Sequence, residues 1–123
     1  MSNWYARAVF FVEDVQRSQR FYVDQLGFSE DWNSNDGVLQ VSLHGFEVIL
    51  NEVGDTTKNR IGHGRVFIGL EDDQIAAFRE HVATKNIPTE RVQWGRPTLV
   101  IRDVDGNEML FWDWPEKDGT TKD

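Results

Sequence analysis

The segment from Trp94 to Trp112 has the sequence WGRPTLVIRDVDGNEMLFW and predicts a β-hairpin. Its two arms, Thr98 to Arg102 and Glu108 to Trp112, are rich in β-branched and apolar residues, which are typical of strands. Between the arms, the Asp105-Gly106 pair supplies the backbone freedom that a tight reversal requires. This hairpin is the last predicted element of the chain. The elements that precede it can be predicted in turn, from the second half of the sequence to the first.

Trp94 lies just before this hairpin, in the segment Trp94-Gly95-Arg96-Pro97. Glycine and proline are typical of loops, so the indole is predicted to lie on a loop and not inside a strand. A loop tryptophan either caps a core or offers a flat surface to a ligand. The residues alone leave both interpretations open.

A strand, a helix and a second strand precede the hairpin in the second half of the chain. The hydrophobic pattern predicts them at His63 to Leu70, about Gln74 to Lys85, and Pro88 to Gln93. Together with the two arms of the hairpin, the predicted order is βαβββ.

The first half repeats this order. Tyr5 to Val12 predicts a strand, and Val15 to Leu26 predicts a helix that Glu13-Asp14 caps at its start and Gly27 at its end. Three strands are predicted after it, at Phe28 to Asn33, Gly37 to Leu43 and Phe46 to Glu52.

These patterns predict an α+β fold in which two βαβββ modules form curved mixed sheets around a concave groove. At 123 residues the chain, 1–123, is expected to be a single domain. The modules are predicted at 4–53 and 62–114, joined by the polar linker from Gly54 to Gly64, and a loose tail is predicted at 115–123.

Period-two alternation predicts which side chains face the groove. On the first strand Ala8, Phe10 and Val12 suit the helix side, which leaves Arg7 on the concave side. On the fifth strand Arg65 takes the same position, and His63 shares its face. An arginine there either contacts a ligand or pairs with a carboxylate on a neighbouring strand.

Composition excludes several classes of function. The absence of cysteine excludes disulfides and a cysteine nucleophile, and a net charge of −8 disfavours nucleic-acid binding, although it leaves room for a cationic ligand. There is no apolar run long enough for a membrane span and no signal-like start, so a soluble cytoplasmic protein without membrane contacts is expected.

Several short motifs resemble those of the vicinal oxygen chelate superfamily, which includes glyoxalase I, extradiol dioxygenases and bleomycin resistance proteins. They are Val12-Glu-Asp-Val-Gln-Arg-Ser18, Phe21-Tyr22, Leu26-Gly27-Phe28 and the turn Asp103-Val-Asp-Gly-Asn107. The resemblance covers nearly the whole chain and implies the paired βαβββ fold.

The resemblance also implies where metal-dependent relatives hold their ion, on the first, fourth, fifth and eighth strands. By register these positions are Arg7, Leu50, Arg65 and Leu110. Leucine has no donor atom and a guanidinium stays protonated, so no metal or other cofactor is expected. A displaced site built from His63, Glu52 and Glu108 is the alternative.

Among relatives without a metal, the chain is most similar to the bleomycin resistance proteins, in Leu26-Gly27-Phe28-Ser29, Gln93-Trp94-Gly95-Arg96 and the segment from Arg102 to Phe111. This similarity implies a non-catalytic homodimer in which Trp94 stacks on a planar, cationic, bleomycin-like ligand. Trp32 is the nearest candidate for a second aromatic contact. The carboxylates proposed to attract the cation are Asp31, Asp36, Glu52 and Glu108, with Glu108 predicted to face the groove.

Two alternatives remain open from the sequence. One is an enzyme of the same superfamily, a lyase, isomerase or dioxygenase with a relocated metal site. The other is a protein that binds a different planar metabolite.

Overall fold

The computed structural model describes residues 5–112, so the predicted loose tail at 115–123 lies outside the described residues. Eight strands form in two groups of four. The first four are β1 (Ala8–Val12), β2 (Ser29–Asn33), β3 (Val38–Leu43) and β4 (Phe46–Glu52). The second four are β5 (Arg65–Phe67), β6 (Glu90–Gln93), β7 (Pro97–Arg102) and β8 (Glu108–Phe111). Helix α1 (Val15–Arg20) and helix α2 (Asp72–Thr84) follow β1 and β5, which confirms the predicted α+β fold and the order βαβββ in each half.

Each group of strands forms a separate four-stranded mixed sheet. Sheet 1 has the order β1-β4-β3-β2 and sheet 2 the order β5-β8-β7-β6. In both, the first strand pairs in parallel with the last, while the remaining pairs are antiparallel. The two sheets therefore repeat one topology, and neither closes on itself.

The predicted helix from Val15 to Leu26 forms in two parts. Asp14 caps its start by accepting hydrogen bonds from the amides of Gln16 and Arg17, at 3.0 and 3.2 Å. After α1 the chain widens into a π-helical turn at Phe21–Gln25, and Gly27 ends it with a φ of 85°. The predicted caps are confirmed, but the second half of the helix is a π turn.

The second module differs from the prediction mainly in the length of β5. This strand has three residues, whereas the hydrophobic pattern extends from His63 to Leu70. Gly64 precedes it at a position where a Cβ atom would lie 2.4 Å from the ring of Phe10, so the chain can pass there only without a side chain. No helix within the described residues is long and apolar enough to cross a membrane.

One hydrophobic core serves both modules. It contains side chains from the inner faces of both sheets and from both helices, among them Phe10, Leu50, Tyr22, Phe78 and Met109. The predicted alternation is confirmed on β1, where Phe10 and Val12 are buried while Val9 is 45% exposed. We call the side of each sheet that points away from this core its outer face.

A buried carboxylate joins the two modules. Asp103, in the turn between β7 and β8, accepts a 2.9 Å hydrogen bond from the hydroxyl of Tyr22 in the first module. It also accepts hydrogen bonds from the amides of Asp105 and Asn107 and from the side chain of Asn107. Burial, together with the charge of Asp103, raises the pKa of Tyr22 well above its ordinary value, so the phenol stays protonated and keeps donating.

Asn107 adds a second connection at the same turn. Its side chain donates to the carbonyl of Phe11 at 3.2 Å and accepts from the amide of Gly64 at 2.7 Å. Asn107 itself is fully buried, so its side chain depends on these partners for its hydrogen bonds. The predicted turn Asp103-Val-Asp-Gly-Asn107 thus holds β1, β5 and α1 in fixed positions.

Replacing Tyr22 with phenylalanine should lower the free energy of unfolding by about 1–3 kcal/mol, because a buried carboxylate loses a hydrogen bond while the ring stays packed. Urea denaturation followed by circular dichroism measures the change. Tyr5→Phe is the matched control, since Tyr5 is 74% exposed. Equal losses in the two variants would show that the hydroxyl does not join the modules.

The pH dependence of stability should carry a contribution from Asp105. Burial, followed by the charge of Asp103, raises the pKa of Asp105 above its ordinary value of 3.8, and Arg17 offsets part of this effect. The folded chain therefore holds this proton to a higher pH than the unfolded chain. The stability from this group is fully present below the ordinary pKa and is lost as pH rises through the raised one.

Asp105→Asn removes this titration and keeps an oxygen for Arg17. The free energy of unfolding of the variant, relative to that of the unmodified protein, should increase as pH rises across this range. Urea denaturation at a series of pH values measures the difference. A difference that stays constant or decreases with pH would contradict the raised pKa.

Candidate functional site

The outer face of sheet 2 carries the most varied set of side chains in the described chain. Alternation along β7 and β8 sends Leu99, Ile101, Met109 and Phe111 into the core. The intervening side chains lie on the outer face, where strand register aligns them in rows: Arg65 with Glu108, Arg102 with Glu108, and Phe67 and Val100 with Leu110.

A row of four alternating charges crosses this face. Glu108 accepts from Nε of Arg65 at 2.9 Å and from Nε of Arg102 at 3.0 Å. Arg102 also donates through Nη1 to Glu90 at 2.5 Å. These carboxylates, Glu90 first, raise the pKa of Arg102 above its ordinary value. Each carboxylate in the row therefore already has a guanidinium partner.

An aromatic cluster, formed by Phe67, Trp94 and Trp112, lies next to the charged row. Its ring centroids are 4.8 Å apart for Phe67 and Trp112, 5.7 Å for the two tryptophans and 6.3 Å for Phe67 and Trp94. Phe67 is 44% exposed, so water still reaches the cluster. Leu110 on the same face is in register with Phe67 and is fully buried.

The loop before β7 holds Trp94 in place. Gly95 has a φ of 75°, a conformation that favours glycine, and the amide of Trp94 donates to the carbonyl of Arg96 at 3.1 Å. The hydroxyl of Thr98 donates to the same carbonyl at 2.8 Å. The indole is therefore set on a tight turn, as the sequence predicts for this segment.

Two arginines lie against the rings of the cluster. The guanidinium carbon of Arg65 is 5.8 Å from the ring centroid of Trp94, and that of Arg96 is 4.9 Å from the ring centroid of Trp112. Both distances are within the range of cation–π attraction. Two positively charged side chains are therefore in contact with the aromatic cluster.

The outer face of sheet 1 has a related but more polar arrangement. Arg7 donates to Glu47 at 2.8 Å, the counterpart of the Arg65 and Glu108 pair on sheet 2. This hydrogen bond raises the pKa of Arg7 above its ordinary value. Val9 on β1 is exposed on this face, as is Trp32 on β2 at 41%.

Gln40 on β3 is held firmly on the same face. Its side-chain nitrogen donates to Asp31 at 2.9 Å, and the other oxygen of Asp31 accepts from Ser42 at the same distance. Gln40 is 3% exposed, and its side-chain oxygen has no hydrogen-bond partner within the described residues.

The predicted site residues divide into two groups. Sheet 2 and its loop bring together Trp94, Gly95, Arg96, Arg65, Glu108 and Leu110. Arg7 and Trp32 lie on the outer face of sheet 1. His63 is exposed in the segment before β5, where its amide bonds to the carbonyl of Arg60. Apart from Leu50, the predicted residues are therefore divided between the outer faces of the two sheets and the segment before β5.

The placement of Leu50 on the ligand face is wrong. Leu50 is in register with Phe10 and is fully buried in the common core, so the outer-face side chains of β4 are Glu47 and Ile49. The pattern of β4 misled the prediction because Phe46 to Leu50 is apolar at almost every position, which hides the alternation. Ile49, like Leu50, has no donor atom for a metal.

Residues that sequence reasoning missed include Glu47, Glu90, Arg102 and Trp112. The register of the predicted hairpin was the signal that could have found Arg102, because it pairs this residue with Glu108. Glu47 required the pairing of strands that are distant in sequence, and Glu90 required the register of β6 against β7.

The carboxylates proposed to attract a cationic ligand do not surround Trp94. Asp36 and Glu52 line a separate cleft of about 830 Å³ at the start of α1, together with Glu13 and Asp14. Asp31 lies on sheet 1, while Glu108 is shared between two arginines. Glu108 is thus the one carboxylate of the four that shares a sheet with the aromatic cluster, and a cationic ligand at Trp94 stays a prediction.

Comparison with protein families gives one match. Residues 4–111 match the Glyoxalase/Bleomycin resistance protein/Dioxygenase superfamily. The chain belongs to this superfamily. It includes enzymes and non-catalytic binding proteins, so membership establishes the fold and leaves the activity open. No curated protein sequence matches the chain.

Solved structures agree on the fold. The bleomycin-binding protein of Streptomyces verticillus, complexed with copper(II)-bleomycin, is 19% identical with a TM-score of 0.71, over 90% of this chain and 97% of that one. The lactoylglutathione lyase of Agrobacterium tumefaciens is 14% identical with a TM-score of 0.64, over 89% and 92%. The fosfomycin resistance protein FosX of Mesorhizobium loti is 14% identical with a TM-score of 0.58, over 90% and 91%.

The residues at the metal positions of the superfamily do not fit a metal ion. With the observed register of β4, the positions that the resemblance implies would be Arg7, Ile49, Arg65 and Leu110, and both guanidinium groups form ion pairs with adjacent glutamates. Within residues 5–112 there is no group of three or more histidine, aspartate or glutamate side chains arranged to hold a metal. This includes the proposed displaced set of His63, Glu52 and Glu108.

Proposed function

We propose that the protein is a non-catalytic binding protein that sequesters a planar small molecule, and that its ligand stacks on the aromatic cluster of sheet 2. The observation that supports this proposal is the cluster itself. Three aromatic rings gather on the open side of a sheet, where a purely structural aromatic group would be expected to face the core. Bleomycin-type glycopeptides, which contain a flat heteroaromatic system, are the antibiotic class that the family resemblance implies.

Physical chemistry favours stacking at this position. The indole of Trp94 is rigid, because the turn at Gly95 and the neighbouring ring of Trp112 restrict it. A rigid aromatic surface loses little conformational entropy when a ligand binds, and a flat ligand gains dispersion and desolvation over its whole area. The partly exposed ring of Phe67 extends the surface.

The charged residues near the aromatic cluster are better suited to ligand binding than to catalysis. Arg65, Glu108, Arg102 and Glu90 hold one another in ion pairs, which is unsuited to a general base that must accept a proton. The superfamily's metal positions offer no ligand atoms at Ile49 and Leu110 and positive charge at Arg7 and Arg65. Sequestration requires neither a base nor a metal.

We further propose that the protein acts as a homodimer. Both outer faces expose large apolar side chains, Val9 and Trp32 on sheet 1 and Phe67 on sheet 2. A second copy of the chain would cover them if sheet 1 of each copy packed against sheet 2 of the other, which forms two identical contacts around a twofold axis. Each groove would then place Trp32 of one copy opposite the aromatic cluster of its partner.

Binding can be tested by titrating the protein with metal-free and copper-loaded bleomycin while following tryptophan fluorescence. If bleomycin is a ligand, it should quench the fluorescence, and Trp94→Ala should weaken its affinity roughly tenfold because the stacking surface is lost. Val104→Ala is the matched control, since Val104 is an exposed apolar residue in the hairpin turn.

Circular dichroism of both variants establishes that each one folds. An affinity that is the same in Trp94→Ala and in Val104→Ala would exclude the aromatic cluster as the binding surface. A stoichiometric divalent ion in protein purified without chelators would contradict the non-catalytic assignment.

Sedimentation equilibrium tests the dimer. The mass should be twice the 14.3 kDa of the chain, and Val9→Glu should shift the protein toward the monomer because it places a charge in the proposed contact. Val104→Glu, which adds the same charge to the exposed hairpin turn, should remain dimeric. A monomer for the unmodified protein at micromolar concentration would remove the shared groove.

A further inference from the structure

The charge around the aromatic cluster differs from that of the protein as a whole. The chain has a net charge of −8, yet the groups that lie against the rings of Trp94 and Trp112 are the guanidinium groups of Arg65 and Arg96. The nearest carboxylate in the charged row, Glu108, is shared between Arg65 and Arg102. Two guanidinium groups therefore lie against the rings of the stacking surface.

Arg65 is the member of the row with the most hydrogen-bonding capacity for a ligand. Arg102 lies inside the row and contacts two carboxylates, Glu108 and Glu90. Arg65 lies at its end, contacts Glu108 through Nε, and has a side chain that is 52% exposed. A guanidinium has five N–H donors in a planar fork, so this contact leaves donors suited to a bidentate carboxylate.

The distance between Arg65 and Trp94 fits a ligand that uses both. The guanidinium carbon lies 5.8 Å from the centroid of the indole ring. A carboxylate hydrogen-bonded to the guanidinium, at the usual separation of about 2.8 Å, would bring a directly attached aromatic ring within reach of the indole face. Glu108 holds the guanidinium beside the ring before the ligand arrives, which reduces the ordering cost of binding.

We propose that the ligand of this surface is a planar aromatic carboxylate, whose ring stacks on Trp94 and whose carboxylate binds Arg65. This inference rests on the proposed function, because it assumes that a planar molecule binds at the aromatic cluster. The proposed ligand is an anion, whereas the bleomycin-like ligand that the family resemblance implies is a cation. Arg65 is the residue that determines this selectivity.

The test compares three probes with the same ring and different charge: naphthoate, naphthamide and naphthylmethylammonium. Titrations followed by tryptophan fluorescence give the affinity of each. Naphthoate should bind about fivefold or more tightly than naphthamide, because an ion pair at a partly exposed site adds a modest gain to the stacking that both share. The ammonium probe should bind most weakly of the three.

The variant Arg65→Gln should reduce the affinity for naphthoate to that for naphthamide, while the affinity for naphthamide stays unchanged. Glu108 keeps Arg102 as a partner in this variant, so no carboxylate is left unpaired. Arg20→Gln, which removes an exposed arginine from α1, is the matched control and should leave the preference for naphthoate intact.

Each other outcome has a defined meaning. Equal affinities for the three probes that all depend on Trp94, or tightest binding of the ammonium probe, would overturn the preference for an anion while the proposed function stands. A preference for naphthoate that persists in Arg65→Gln would exclude Arg65 as its cause. Failure of all three probes to bind would overturn this inference, while the bleomycin titration of the unmodified protein and of Trp94→Ala decides the proposed function separately.

Discussion

The buried carboxylate of Asp103 is the interaction on which the arrangement of the two modules depends. It accepts four hydrogen bonds, three from its own turn and one from Tyr22 of the first module. A buried charge is stable only when its hydrogen-bonding capacity is satisfied, so this carboxylate requires both the hairpin and the first helix to be in place. The hairpin turn is thus a connection between modules as well as a reversal of the chain.

This connection determines which surfaces are available for function. α1 is fixed against the β7–β8 turn, and the inner faces of both sheets pack into one core. Both outer faces remain exposed. The outer faces contain the ion pairs, the arginines and the aromatic cluster. A βαβββ repeat in one chain therefore produces two different surfaces, one with an indole beside polar groups and one with three rings beside arginines.

Much of the fold followed from local signals. The caps at Asp14 and Gly27, the hairpin turn and the order of elements are encoded by residues within a few positions of each other, and all are confirmed. The π-helical turn after α1 and the shortness of β5 were not predicted, because they depend on contacts with residues far away in sequence. The misplacement of Leu50 has the same origin, since an unbroken apolar run does not reveal which face meets the core.

The candidate site shows the same contrast between features predicted from local sequence and features that depend on distant contacts. Trp94 and its turn could be singled out because glycine and proline next to an aromatic residue are a local pattern. The pairing of Arg65 with Glu108 joins residues 43 positions apart, and the contact of Arg65 with Trp94 joins β5 to the loop between β6 and β7. Acidic composition left room for a cationic ligand, but composition carries no information about which charges neutralise one another.

The sequence by itself determined the repeated βαβββ order, the identity of the key turn and the lack of metal-binding atoms at Arg7, Arg65 and Leu110, because these are properties of single residues and their neighbours. The tertiary structure alone decided that Phe67, Trp94 and Trp112 meet in one cluster and that arginines lie against it. The physical reason is that strand register sets the distance between side chains on different strands, and register is fixed by the packing of the whole core.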